Sequence, residues 1–136
     1  FHITIETAGT RFRTVECDLM SISPKLAHST PEGPWKDRHE AQRISQDTLL
    51  KLIETYTYQL KFVVQTATIV EDVQQIDGIL NALKSVEPER VLLMAQGIDQ
   101  TTLETCQQQL ISVVLDRGWR ITPRFHIQLF GNTRGT

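Results

Sequence analysis

Three short segments carry residue types that could hold a small charged ligand. Ser23-Pro24-Lys25 joins a hydroxyl to a cation through a stiff proline. A lysine held there can meet a carboxylate or phosphate as a point charge, or can simply be solvated. Met94-Ala95-Gln96-Gly97 combines small residues with free backbone edges. Such edges suit the close approach of a flat ring such as adenine, or form a plain connection. Glu6-Thr7-Ala8-Gly9-Thr10 offers a carboxylate for an amine or hydroxyl beside a glycine that can turn sharply, or is an ordinary turn. Two single residues join them. Lys61 lies inside the apolar run Leu60-Lys61-Phe62-Val63-Val64, where it needs a partner or a route for its head to water. His126 alternates with Phe125, Ile127 and Leu129, so on a strand it points away from the core side.

Other chemistries have no footing. Cys17 and Cys106 are the only cysteines, too few for a disulfide framework or a self-contained zinc or iron–sulfur site. They read as small apolar fillers. His2, His28 and His39 have no context that marks them as more than structural or solvated. No G-x-G-x-x-G, Walker A, H-E-x-x-H or G-x-S-x-G pattern occurs.

Positioning the three segments takes strands and helices in alternation. Residues 2–6, 18–23, 59–65 and 90–95 read as strands. Residues 46–57 read as a helix capped by Ser45, with Leu49, Leu52, Ile53 and Tyr56 on one face. Thr68 and Glu71 fit a capping box ahead of Val73, Ile76, Leu80 and Leu83, and Thr101 and Glu104 fit another ahead of Leu103, Cys106 and Leu110. Gly118 stands where a helix C-cap belongs. A last strand is expected from Trp119, broken by Pro123 and resumed over 125–130. The stretch 29–40 reads as a polar loop.

This alternation predicts an α/β fold with a mostly parallel sheet. Ligand groups in such sheets gather beyond the carboxyl ends of the strands. That rule selects Glu6–Thr10, Ser23–Lys25, Gln65–Thr68 and Met94–Gly97 as one rim.

Length and charge bound the rest. The 136 residues suffice for one domain, and a net charge of -2 gives no field for bulk nucleic-acid binding. No apolar run reaches the length of a membrane span, and the first residues do not resemble a signal peptide, so a cytoplasmic location is expected. The chain opens at Phe1 directly in a strand-like run, which suggests a cut inside a domain.

Read in order, these segments resemble a known family. Ile3–Thr10, Cys17–Leu26, Ser29-Thr30-Pro31, Tyr58–Val64 and the ending His126-Ile127-Gln128-Leu129-Phe130-Gly131-Asn132-Thr133-Arg134-Gly135 are similar to 7-carboxy-7-deazaguanine synthases, of the radical S-adenosylmethionine (SAM) superfamily. The S-P-K loop with the H-x-x-x-x-G-N-x-R-G tail carries the assignment. The resemblance implies the carboxy-terminal half of a partial (β/α) radical SAM barrel spanning residues 1–136. It implies the ring contraction of 6-carboxy-5,6,7,8-tetrahydropterin to 7-carboxy-7-deazaguanine with loss of ammonia, a step toward queuosine and other deazapurines. SAM, a [4Fe-4S] cluster and Mg2+ would serve this lyase, with SAM cleaved to a 5′-deoxyadenosyl radical.

The resemblance also implies roles. Ser23, Pro24, Lys25, Met94, Ala95, Gln96 and Gly97 would hold SAM, with Glu6 and Thr7 beside its methionyl group. Ala95 stands where many relatives have proline. His126 would reach the pterin. The family's three cluster cysteines, its magnesium ligand and its glycine-rich SAM motif match nothing here, so no catalytic or metal residue is expected in this chain. The partners expected are the pterin, the missing amino-terminal half and, as an open assembly, a second copy in a homodimer. No direct nucleic-acid or membrane partner is expected. Two other readings stay open: a non-catalytic split or degenerate half that binds SAM, and another radical SAM enzyme such as a glycyl-radical activase.

Overall fold

The structure is a computed structural model and describes residues 1–133. Five strands form one sheet: β1 (Thr4–Thr7), β2 (Leu19–Ile22), β3 (Tyr58–Val64), β4 (Val91–Ala95) and β5 (Arg120–Thr122). The order is β1-β2-β3-β4-β5 and every pair is parallel. Parallel neighbours need long crossovers. Helices α2 (Gln46–Thr55), α3 (Ile69–Leu83) and α4 (Gln100–Arg117) supply three of them. Because such crossovers are right-handed, a strand order that never reverses puts all of these helices on one face. A doubly wound sheet, in contrast, reverses its order.

The two faces of the sheet differ accordingly. On one, the registered rows Ile22–Leu60–Val91, Phe62–Leu93 and Val64–Ala95 join Leu49 and Leu52 of α2, Ile76 and Leu83 of α3, and Leu103, Cys106 and Leu110 of α4 in a single core. On the other lie the rows Glu6–Ser21–Gln59, Lys61–Leu92–Arg120 and Val63–Met94–Thr122. Central strands of fully covered parallel sheets read as continuous apolar runs. β3 instead alternates buried and half-buried residues, so its second face is polar and partly open.

Several sequence expectations change. Residues 125–130 form helix α5 (Phe125–Phe130), not a strand. Pro123 lacks an amide for the ladder and ends β5 at Thr122. An apolar residue at every second place of a six-residue run fits one helical turn as well as a strand. Of α5 only Ile127 is buried, while Phe125, Leu129 and Phe130 are exposed. The stretch 29–40 is not all loop: α1 (Lys36–Gln42) begins within it. This helix buries no residue, so it leaves no apolar period to read.

Neither capping box forms. Thr68 makes no cap bond, and its hydroxyl donates to Asp72 at 3.1 Å. At α4 the cap is Asp99, two residues earlier than Thr101. It accepts from the Thr102 amide at 2.9 Å and from the Thr102 hydroxyl at 2.7 Å. Ser45 does precede α2, yet its hydroxyl meets Thr48 and not a backbone amide. Gly118 caps α4 in the left-handed conformation, as expected.

The Asp99 cap gives a pH prediction. Hydrogen bonds from Thr102, the backbone amide first, hold the Asp99 carboxyl below the usual aspartate range. A depressed carboxyl stabilises the fold above its unfolded pKa, and that contribution disappears as pH falls through the folded value. Asp99→Ala is therefore expected to lower the urea midpoint at pH 7, and the gap to the parent should close in strong acid. A gap independent of pH would count against the charged cap.

Candidate functional site

The rim beyond the carboxyl ends of β2, β3 and β4 holds a cleft of about 270 Å³. Ser23, Pro24 and Lys25 form one wall, and Met94 and Gln96 form another. Val63 lies on the floor side, and His28, Ser29 and Arg124 complete it.

Each wall is pinned by bonds that the chain makes far from its own neighbours. The Ser23 amide donates to the Thr7 carbonyl at 2.7 Å, which ties the β2 loop to the end of β1. Arg43 donates to the Lys25 carbonyl at 3.1 Å, and the Ala27 amide donates to Gln75 of α3 at 2.9 Å. Across the cleft, the Gln96 amide donates to the Val64 carbonyl at 2.7 Å. Arg124 donates to the Gly97 carbonyl at 3.0 Å. Fixed backbone of this kind presents unchanging hydrogen-bond groups to a ligand, which spares it the cost of ordering a loop.

The Lys25 ammonium makes no ion pair among the described residues. It also edges a wider cleft of about 580 Å³ with Arg11 and Arg43. A lysine in this setting attracts an anion. A more apolar groove between α2 and α3, lined by Ile44, Leu49 and Ile79, shares no residue with the first cleft.

Below the cleft is a buried pair that the sequence did not reveal. His28 Nδ1 lies 2.8 Å from Asp72 Oδ1, with side-chain exposures of 6% and 1%. Asp72 Oδ2 also accepts from the Gln65 amide at 3.2 Å and from the Thr68 hydroxyl. Asp72 thus gathers the ends of β2 and β3 and the first turn of α3 at one carboxylate. The only trace of this in the sequence is an acidic residue in the first turn of α3.

The expected residues divide into two groups. Ser23, Pro24, Lys25, Met94 and Gln96 share the cleft. Ala95 points instead into the helix-covered core and is 1% exposed. Gly97 lends the cleft region its carbonyl to Arg124 while packing against Leu103. Glu6 stands on the open face of the sheet, where its carboxylate meets Lys61 Nζ at 2.7 Å. Lys61 therefore has a partner within an otherwise apolar strand. The Thr7 hydroxyl accepts from the Gly9 amide at 3.1 Å. His126 is exposed on α5 and does not line the cleft. Arg134 and Gly135 of the tail pattern lie outside the described residues. Arg124 was missed, although the strand-end rule applied once more after β5 would have found it.

The cysteines behave as fillers. Cys106 is fully buried with its thiol 3.5 Å from the Val64 carbonyl, and burial pushes that thiol up. Cys17 is partly exposed. An alkylating reagent should label Cys17 first and reach Cys106 only as fast as the fold opens. Equal rates by mass spectrometry would contradict this.

Comparison with known proteins gives a consistent result. The chain is 36% identical over 149 residues to a protein of Halobacterium salinarum named 7-carboxy-7-deazaguanine synthase, covering all of this chain and 57% of that protein. A protein of the same name from Rhodopirellula baltica is 37% identical over 140 residues, covering 99% of this chain and 53% of the relative. One from Pyrobaculum aerophilum is 25% identical over 137 residues, covering 98% and 54%. The chain thus spans about half the length of the curated relatives it matches. No family model and no solved structure matches it.

Proposed function

We propose that this chain, similar along its whole length to 7-carboxy-7-deazaguanine synthases, is the carboxy-terminal, SAM-holding part of such an enzyme. The supporting observation is the convergence of two distant segments, Ser23–Lys25 and Met94–Gln96, on one cleft at the strand ends. The unreversed strand order and the one-sided helices support a partial barrel whose interior is the open polar face of the sheet.

The residues fit SAM in chemical character. Lys25 offers a cation to a carboxylate. The backbone after Met94 offers edges to a ring, and Val63 and Met94 offer apolar surface. When bound together with a reduced iron–sulfur cluster, SAM supplies the one-electron chemistry that takes a hydrogen atom from the pterin. This chain's part is to bind, orient and exclude water. Glu6, paired with Lys61, stands on the face toward which the pterin and the methionyl group would lie. His126 is assigned to the pterin through the resemblance alone.

The described residues do not fit the cluster or the magnesium ion as ligands. No three His, Cys, Asp or Glu side chains gather closely enough among them to hold a metal. Both would belong to the part of the relatives that this chain does not span. The described residues also contain no helix long and apolar enough to cross a membrane.

The test uses the full-length protein with its cluster reconstituted without oxygen. With SAM, a reductant, Mg2+ and 6-carboxy-5,6,7,8-tetrahydropterin it should form 7-carboxy-7-deazaguanine and release ammonia. Lys25→Ala should weaken SAM binding about tenfold or more, because it removes a charge-assisted contact worth about 1.5–3 kcal/mol. A protein that cleaves SAM but leaves the pterin unchanged would favour another radical SAM activity. One that binds SAM without cleaving it would favour a non-catalytic half.

A further inference from the structure

The His28–Asp72 pair is not explained by the reading above, and it lies at the wall of the same cleft. Its geometry is directional. Both oxygens of Asp72 are engaged, Oδ1 by the imidazole at 2.8 Å and Oδ2 by the Gln65 amide and the Thr68 hydroxyl. A carboxylate only accepts, so Nδ1 carries the proton of the His28–Asp72 bond. In the neutral ring this leaves Nε2 with a lone pair and no hydrogen.

Nε2 has no hydrogen-bond partner among the described residues. Yet no buried side-chain nitrogen or oxygen among them lacks a partner, so this atom is not sealed in protein. The His28 side chain is only 6% exposed, and the residue lines the cleft. With the ring neutral, a nearly buried imidazole held by a fully buried carboxylate would present one acceptor to the cleft. Such an acceptor discriminates, because a ligand that could not donate to it would leave it dry and unpaired. Lys25 and Arg124 already supply the donors an anion would want, so His28 adds the opposite capacity.

We propose that His28, oriented by Asp72, is a ligand-binding residue whose Nε2 accepts a hydrogen bond from the adenosyl part of SAM, at a ribose hydroxyl or the adenine amino group. The inference rests on the SAM reading above and extends it to a residue outside the S-P-K and M-A-Q-G segments. A purely structural pair would hold the β2 loop against α3 and touch nothing in the cleft.

His28→Asn separates the two roles. The asparagine amide nitrogen sits near the place of Nδ1 and can still donate to Asp72, while nothing replaces Nε2. In the full-length, cluster-reconstituted protein, calorimetry should show S-adenosylhomocysteine and SAM binding about tenfold more weakly to His28→Asn, with the unfolding midpoint near the parent's. Unchanged affinity in the variant would overturn the role of His28 while leaving the SAM reading intact. A parent protein that binds neither probe would overturn both. A second measurement needs no substitution. In parent protein labelled with 15N-histidine, the His28 Nε2 resonance should be that of an unprotonated nitrogen and should move when S-adenosylhomocysteine is added. An Nε2 resonance that ignores saturating ligand would overturn the proposal even if His28→Asn fails to fold.

Discussion

Asp72→Ala is expected to lower the stability of the fold by about 3 kcal/mol. The carboxylate is 1% exposed and accepts from three donors, on His28, Gln65 and Thr68. Removing it leaves those donors without a partner, at about 1–3 kcal/mol for each one that stays dry. The sum is less than three full penalties, because His28 lines a cleft that water can enter. Asp77→Ala on the same helix is the control. Asp77 pairs with Arg117 at 2.8 Å, but the two side chains are 39% and 34% exposed. Screening by water limits that pair to about 1 kcal/mol or less. Urea denaturation of the two variants should therefore differ by about 2 kcal/mol or more. Equal losses would mean that Asp72 is not the knot of the rim. Asp72→Asn should fall between, since one oxygen remains to accept.

Gly9→Ala is expected to cost about 2–4 kcal/mol, from two causes that add. Gly9 has φ 72°, in the left-handed region where an L-residue is strained by about 1 kcal/mol or more. An added Cβ would also stand 2.5 Å from Leu49 Cδ2 and 2.9 Å from Ile22 Cγ2. Both of those residues are core members, 1% and 0% exposed, so neither has room to move. Overpacking of this kind costs about 1–3 kcal/mol. Gly33 separates the causes, because its φ is 100° and nothing lies within 4 Å of its added Cβ. Gly33→Ala should show the backbone cost alone. If the two variants lose the same stability, the packing argument fails. Because the Thr7 carbonyl anchors the Ser23 amide, the movement forced at Gly9 should also reach the cleft.

The helices were legible because their signals are local. Leu49 and Leu52, Val73 and Ile76, and Leu103, Cys106 and Leu110 repeat at helical spacing, and each faces the core. The strand-end rule then named a cleft wall on each side, at Ser23–Lys25 and Met94–Gln96, without any knowledge of contacts. Ala95 shows the limit of naming a whole segment. In a strand, successive side chains face opposite ways, so within Met94-Ala95-Gln96 the middle residue turns to the core. The exposed helix α1 was illegible because it buries nothing, and α5 because six residues cannot separate a period of 2 from one of 3.6. The α4 cap moved because Asp99 offers a carboxylate one position outside Gln100, where the helix begins.

By itself the sequence determined the alternation of strands and helices and the loops that gather at one rim. Both follow from the periodicity of neighbouring residues and from the length of the crossovers. Tertiary structure alone decided that Asp72 meets His28, that Glu6 meets Lys61, and that Arg124 closes the cleft on Gly97. Each of these pairs lies far apart in the chain. Whether a given carboxylate is buried with a partner or left in water depends on strand register and helix placement, which no stretch of neighbouring residues encodes.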